Sequence, residues 1–154
     1  MGKLSVALTL IAAIVGGSSV ALAQEVKKEI INPWKWQDQF FFSQGIKVMG
    51  GSLLFLAGQG GIKANGQFFI PTKFEEQVKL TFDNMETILK AAGGTLDDIV
   101  YMTVHVTDMR FGRVFTSMRK DYFKKGYPAS TLVESPHLAL PEMQIEITAI
   151  AVVR

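Results

Sequence analysis

The sequence contains no cysteine at any of its 154 positions. This absence excludes disulfide bonds, thiolate metal ligands and cysteine nucleophiles. The two histidines, His105 and His137, have no partner histidine or acid at ligand spacing, so we expect no metal site and no other cofactor. His105 lies in a strand pattern and is interpreted as structural, whereas His137 lies in a loop and is interpreted as a surface residue that could reach a pocket.

The sequence also lacks a strong excess of positive or negative charge, because 16 lysines and arginines nearly balance 14 aspartates and glutamates. Such a balance does not favour binding to nucleic acid or to a charged membrane surface. The glycines of residues 57–61 are not followed by Gly-Lys-Ser/Thr, which does not favour a phosphate-binding loop. They indicate instead a bend or a close backbone approach at a strand end.

The sequence has one apolar run near its start, but the run is too short to span a bilayer. Residues 4–15 are mostly apolar, follow Lys3, and are interrupted by Gly16 and Gly17. The segment then ends Ala21-Leu22-Ala23, which is typical of a signal peptide. We therefore expect a signal peptide at residues 1–23, a single domain at residues 24–154, and a periplasmic or secreted protein; an uncleaved anchor is the alternative.

The rest of the chain predicts an alternation of strands and helices. Residues 24–31 read as a loose lead-in, and Gly50-Gly51 predicts a hairpin between strands at residues 46–49 and 52–56. A helix is predicted from a Thr72/Glu75 capping box to Gly93-Gly94. Strands at residues 99–106, 131–133 and 143–153 flank a second helix at about residues 110–124.

This element order predicts an α+β fold in which two helices pack on one face of a mixed sheet. The second face would carry Ile99, Tyr101 and Thr103, which are not polar enough to face water freely. We therefore expect a homo-oligomer that covers this face. Aromatic residues 34–42 are expected to pack against the sheet or a partner subunit, because few basic residues accompany them as a nucleic-acid platform requires.

Glu146 is the most conspicuous candidate for chemistry, because it is an acid within an otherwise apolar final strand. A carboxylate in that setting must be paired, solvated in a cleft or protonated. A solvent-facing strand acid is an equally good interpretation. If the carboxylate faces a cleft, partial burial would raise its pKa toward the range of a general acid or base.

Several motifs, in the same order along the chain, resemble the YjgF/RidA family, also described as L-PSP endoribonuclease-like. The similarity covers about residues 32–154 and is carried by Phe42-Ser43-Gln44-Gly45, Ala57-Gly58-Gln59, residues 84–100, Pro128-Ala129 and Ile145-Glu146-Ile147. The resemblance implies a chorismate-mutase-like fold and a homotrimer with ligand clefts between subunits. In that family, deaminases hydrolyse small 2-imino or enamine acids to 2-keto acids and ammonia.

The resemblance also implies roles for individual residues. Glu146 matches the glutamate that positions the attacking water, and Gly58 matches a backbone contact in the cleft. Phe42 replaces the usual tyrosine, and Ser130 occupies the place of an arginine that clamps the substrate carboxylate. Leu132, in the Ser-Thr-Leu run, and His137 complete the expected substrate-binding set. Because Ser130 stands in place of this arginine, the chain resembles an arginine-lacking branch of the family. Loss of the bidentate ion pair between the arginine and the substrate carboxylate is expected to weaken substrate binding.

Three functions therefore remain open at this point. The first is a small-metabolite trimer that retains deaminase-like hydrolysis at Glu146, with imino, enamine or keto acids as ligands. The second is a trimer that binds a ligand without catalysis. The third is an endoribonuclease, which the near-neutral charge and the lack of a catalytic histidine pair do not favour.

The predicted cleavage site can be tested by expression of the full chain in a bacterium and intact-mass analysis. The exported protein should begin at Gln24, because signal peptidase accepts only small residues at the last and third-last positions of the leader. Ala23→Arg should block cleavage, whereas Leu22→Val, at the intervening position, should not. A membrane-retained wild-type chain of full-length mass would instead identify an anchor.

Overall fold

The computed structural model describes residues 25–64 and 68–154. The predicted signal peptide lies outside these residues, as does Asn65-Gly66, a dipeptide that predicts a tight turn. The helices and strands, in chain order, are β1 (Lys27–Ile31), β2 (Gly45–Met49), β3 (Ser52–Gly60), β4 (Lys63–Ala64), β5 (Phe68–Phe69), α1 (Phe74–Ala91), β6 (Ile99–Val106), α2 (Arg110–Arg119), β7 (Ala129–Glu134) and β8 (Ile145–Val153). No helix in the described part of the chain is long and apolar enough to cross a membrane.

The central sheet has four strands in the order β3-β8-β6-β7. Strand β8 runs antiparallel to both β3 and β6, whereas β7 runs parallel to β6. A parallel pair needs a crossover connection, and α2 supplies it between β6 and β7. The predicted α+β fold, with two helices on one face of a mixed sheet, is confirmed.

The hydrophobic core lies between the helices and this sheet. The apolar stripe of α1 is buried as its helical spacing predicts, and it consists of Phe74, Val78, Phe82, Met85 and Leu89. Its sheet-side partners are fully buried residues of β6 and β8, among them Met102, Val104, Ile145 and Ile147. Phe115 joins the two helices, because its ring stacks on Phe82 with a centroid distance of 6.2 Å.

The start of α1 differs from the prediction, although its end does not. The prediction of a Thr72/Glu75 capping box is wrong, because the helix begins at Phe74. Its N-cap residue is Lys73, whose side chain makes no capping hydrogen bond. A buried glutamine, Gln77, binds the carbonyl of Pro71 and holds the preceding residues outside the helix. At the other end, Gly94 N–H donates to the Leu89 carbonyl at 2.8 Å, and Gly93 adopts a positive φ of 77°.

The predicted Gly50-Gly51 hairpin is also wrong. Both glycines adopt a positive φ, but the strands that they connect pair elsewhere: β2 with β1, and β3 with β8. The lead-in that was expected to be loose instead forms β1, which takes the hydrogen bonds of β2. Strand β3 is thereby free to form the edge of the central sheet.

Gln77 is the principal polar group of the core. Its side chain is fully buried, and Nε2 donates to the carbonyls of Pro71 at 2.7 Å and Glu142 at 2.9 Å. Its Oε1 accepts from the Gln144 N–H at 2.8 Å. One side chain on α1 therefore satisfies three backbone groups on the two segments that flank α1 and β8.

Gln77→Leu should lower the free energy of unfolding by about 3 kcal/mol, because it leaves three buried backbone groups without partners. Denaturant unfolding of the mature protein measures this change. Glu76→Leu, at the neighbouring exposed position, should change stability by about 0.5 kcal/mol or less. Equal effects of the two substitutions would contradict the role assigned to Gln77.

Candidate functional site

The sheet face opposite the two helices is covered only in part within the described residues, since Val152 on it is 2% exposed; we call it the open face. It carries Leu53 and Phe55 from β3, which are 63% and 70% exposed, and their cross-strand partners on β8, Val152 and Ile150. Large apolar side chains at this exposure, side by side, are typical of a surface that another molecule covers.

Glu146 projects from β8 onto the open face, because its neighbours Ile145 and Ile147 are fully buried on the helix side. The register of β3 against β8 shifts between Leu56 and Gln59, which is a β-bulge. A methyl group built on Gly58, inside the bulge, would overlap Oε1 of Glu146. The absence of a side chain at Gly58 therefore makes room for the carboxylate.

His105, which is not among the predicted site residues, lies directly beside Glu146. The two residues are cross-strand partners on β6 and β8, and both side chains are half-buried on the open face. Residues paired in this way place their Cβ atoms about 5 Å apart. An imidazole and a carboxylate at that separation can contact the same water molecule.

A group of hydroxyls continues along the open face from this pair. The Tyr101 hydroxyl accepts a hydrogen bond from Thr103 and shares another with Thr131, both at 3.2 Å. These two hydrogen bonds hold the pKa of the Tyr101 phenol below its ordinary value. The open face is therefore polar beside β7 and apolar beside β3.

Ser130 lies on the other face of the sheet. Strand β7 pairs with β6 in the register Met102↔Ser130 and Val104↔Leu132, so Ser130 and Leu132 face the helices with the buried Met102 and Val104. Glu146 and Ser130 therefore share no site within one protomer. A cleft that contains both would need two copies of the chain, with each copy contributing one of the two residues.

Arg119, the last residue of α2, brings a guanidinium to Ser130. The residue is 4% exposed, its Nη1 donates to the Ser130 Oγ at 3.2 Å, and its Nε donates to the Phe40 carbonyl at 3.1 Å. The rings of Phe42 and Phe115 lie 5.7 and 5.5 Å from its Cζ. Burial lowers the pKa of Arg119 to about 10, which leaves the group protonated at neutral pH.

A cavity of about 540 Å³ opens on the helix side of the sheet, and neither Arg119 nor Ser130 lines it. Its walls come from α2, β7 and the aromatic segment, and they are formed by Gln39, Phe40, Phe41, Met109, Gly112, Arg113, Thr116, Ser117 and Leu132. The aromatic segment is held in place by Ser43, whose N–H and hydroxyl donate to the Pro128 and Tyr127 carbonyls at 3.0 and 2.5 Å. Trp34 and Trp36 remain exposed in the protomer, so neither packs against the sheet as one interpretation expected.

The predicted site residues thus fall into separate groups. Gly58 and Glu146 lie together on the open face, whereas Phe42 and Ser130 contact Arg119, and Leu132 lines the cavity. His137 is exposed in the loop after β7 and belongs to neither group. Within residues 25–64 and 68–154, no three histidine, aspartate or glutamate side chains are grouped so that they could hold a metal ion.

Arg119 is not among the predicted site residues, although the helical spacing of α2 carries a signal for it. Arg119 follows the buried Phe115 by four residues and Gly112 by seven, which places it on the face of α2 that is turned toward the sheet. A basic residue on an apolar helix face indicates a buried charge, and buried charges require partners.

Comparisons with known proteins agree with this architecture. Residues 39–153 match the family described as Endoribonuclease L-PSP. The RutC family protein of Saccharolobus solfataricus is 34% identical over 110 residues, which are 71% of this chain and 85% of that protein. The putative reactive intermediate deaminase TdcF of Escherichia coli is 31% identical over 115 residues, covering 72% of this chain and 85% of TdcF.

Solved structures show the same relationship. The Rid family protein YyfB of Yersinia pestis superimposes with a TM-score of 0.75 at 27% identity, covering 82% of this chain and 98% of YyfB. Escherichia coli TdcF with bound serine superimposes with a TM-score of 0.61 at 29% identity, covering 73% of this chain and 88% of TdcF. The chain therefore belongs to the Endoribonuclease L-PSP family, which is the YjgF/RidA family that its motifs resemble.

Proposed function

We propose that this protein is a homotrimer that hydrolyses small 2-imino or enamine acids to 2-keto acids and ammonia in clefts between its subunits. The observation that carries the proposal is the position of Glu146, whose carboxylate lies against Gly58 on the open face. The name of TdcF, a reactive intermediate deaminase, supports the same reaction class. The near-balanced charge of the chain does not favour an RNA substrate.

The exposed apolar residues of the open face support assembly. Leu53 and Phe55 would lose most of their contact with water against a second copy, and burial of each would contribute about 1.5–3 kcal/mol. Assembly is also required for one cleft to contain both Glu146 and Ser130, because these residues lie on opposite faces of one protomer. The trimer and the site are therefore parts of one proposal.

Water attacks the carbon of the C=N bond in the proposed reaction, and Glu146 accepts one proton from that water. The adduct receives this proton on nitrogen and becomes a carbinolamine. Glu146 then takes the second proton of the former water from the carbinolamine hydroxyl and passes it to nitrogen, so that the C–N bond breaks and ammonia leaves as the keto group forms. One water molecule is consumed, and Glu146 returns to its starting state. His105 lies beside Glu146 and can hydrogen-bond the same water.

A second candidate function is a trimer that binds a ligand without hydrolysing it. The observation that favours it is Ser130, which stands where the resemblance implies a clamping arginine. For either function we propose that the protein acts in the periplasm or outside the cell, as the leader at residues 1–23 predicts.

Glu146→Gln should lower kcat for 2-iminobutanoate, generated in situ, by about a hundredfold, because it removes the proton acceptor and leaves the shape of the side chain nearly unchanged. Glu142→Gln, an exposed acid four residues earlier, is the matched control and should retain wild-type turnover. Gly58→Ala should also lower kcat, since its methyl group displaces the retained carboxylate.

Full turnover by Glu146→Gln would refute the role of this carboxylate. A wild-type protein that shows no turnover, but is stabilised in thermal shift by keto acids, would refute the deaminase proposal in favour of the non-catalytic trimer.

Phe55→Asp should convert the trimer into monomers, because it places a charge in the apolar part of the open face. Light scattering coupled to size exclusion measures the mass, and the matched control is Thr72→Asp, at an exposed position before α1. A wild-type protein that elutes as a stable monomer would contradict the proposed assembly and the site that depends on it.

A further inference from the structure

His105 and Glu146 are two proton-transfer groups without a bonding partner in the described chain. They are cross-strand neighbours on β6 and β8, and both side chains are half-buried on the open face. Within residues 25–64 and 68–154, neither side chain takes part in a hydrogen bond or an ion pair. The only buried side-chain polar atom without a partner there is Oε1 of Gln144, so the polar atoms of both residues reach the solvent. A molecule bound on this face can therefore reach both of them.

The carboxylate of Glu146 is turned toward β3 and away from His105. A methyl group built on Gly58, on β3, would overlap Oε1 of Glu146. Strand β8 lies between β3 and β6, so the imidazole of His105 stands on the opposite side of β8 from this carboxylate. A small molecule bound over β8 would have the carboxylate on one side and the imidazole on the other.

No other titratable group of β6, β7 or β8 lies as near on the open face. Tyr101 is the remaining titratable residue at the open-face positions of these strands, and it lies four residues from His105, about 13 Å along β6. The positions next to His105 carry Val133 on β7 and the cross-strand pair Thr103 and Thr148. His105 and Glu146 are therefore the two groups that can move protons at this place.

An enamine acid needs a proton transfer that an imino acid does not need. Water attacks the carbon of a C=N bond, but in an enamine that carbon belongs to an electron-rich C=C bond. The neighbouring carbon, C3, must first gain a proton, and the nitrogen must lose one. Glu146 begins the proposed hydrolysis as a carboxylate, which has no proton to give, whereas imidazole side chains give and take protons near neutral pH.

We infer that His105 converts bound 2-enamine acids into the 2-imino tautomers that Glu146 then hydrolyses. The protonated imidazole gives its proton to C3; the electron pair of the C=C bond forms the C3–H bond, and the nitrogen lone pair forms C=N. The neutral imidazole then takes a proton from the iminium nitrogen, which yields the imine and restores the protonated ring. The inference deepens the proposed function and rests on it for the substrate class.

Two tautomers of one substrate separate this role from a general effect on the site. A threonine dehydratase generates the enamine 2-aminocrotonate from threonine, an amino acid oxidase generates 2-iminobutanoate from 2-aminobutanoate, and both give 2-ketobutanoate. His105→Gln should lower kcat for the enamine at least about tenfold and leave kcat for the imine within about twofold of the wild type. Thr148→Ala is the matched control, because it removes a polar group from the neighbouring cross-strand pair, and it should leave the ratio of the two kcat values unchanged.

Deuterium incorporation by the wild-type protein is a second measurement, and it does not depend on the folding of a variant. In D₂O, His105 should deliver deuterium from 2-aminocrotonate's one bound face to C3. Lactate dehydrogenase and NADH reduce the product at once to 2-hydroxybutanoate, whose two C3-deuterated diastereomers NMR resolves. The wild type should enrich one diastereomer relative to the dehydratase alone, and His105→Gln should not. Glu146→Gln should keep the enrichment while it releases 2-ketobutanoate more slowly.

Equal losses of kcat for both tautomers in His105→Gln would overturn the inference, because a structural role lowers both. No loss for either tautomer, or a wild-type deuterium pattern identical to that of the dehydratase alone, would overturn it as well. A wild type that enriches one diastereomer, but does not speed the release of 2-ketobutanoate from either tautomer, would refute the deaminase proposal and leave this inference standing.

Discussion

The central sheet has two faces, and the chain has helices for only one of them. Strands β6 and β8 place their largest aliphatic residues under α1 and α2, and this burial supplies most of the hydrophobic stabilisation within the protomer. The opposite face keeps Leu53 and Phe55 exposed beside a half-buried acid, Glu146. The alternation of side chains along the strands thus gives the sheet one face that is buried in the core and one face that keeps apolar residues exposed.

This division explains which features could be predicted from the sequence. The stripe of α1 from Phe74 to Leu89 depends on local spacing, and its burial follows from periodicity alone. The pairing partners of β2 and β3 cannot be predicted from local spacing, because segments that are distant in the sequence compete for the hydrogen bonds of each strand. Residues 24–31 look polar and loose in isolation, yet residues 27–31 form β1 because β2 offers them an unpaired edge.

The candidate site shows the same limit. Sequence motifs identified Glu146 and Ser130 as functional positions but could not show that they lie on opposite faces of one sheet. That fact depends on the register of β7 against β6 and of β8 against β3, and a one-residue slip in either would reverse it. Ser130 alone suggested that the site had lost its cation. The fold brings a guanidinium to the same hydroxyl from α2, eleven positions earlier in the chain.

The contact between Arg119 and Ser130 has a consequence for substitutions at position 130. An arginine at position 130 would place a second guanidinium in a space that already holds one, and two like charges a few ångströms apart in a buried setting repel each other by several kcal/mol. An arginine at position 130 should therefore cost stability while Arg119 is present, and the cost should fall if position 119 carries a neutral side chain.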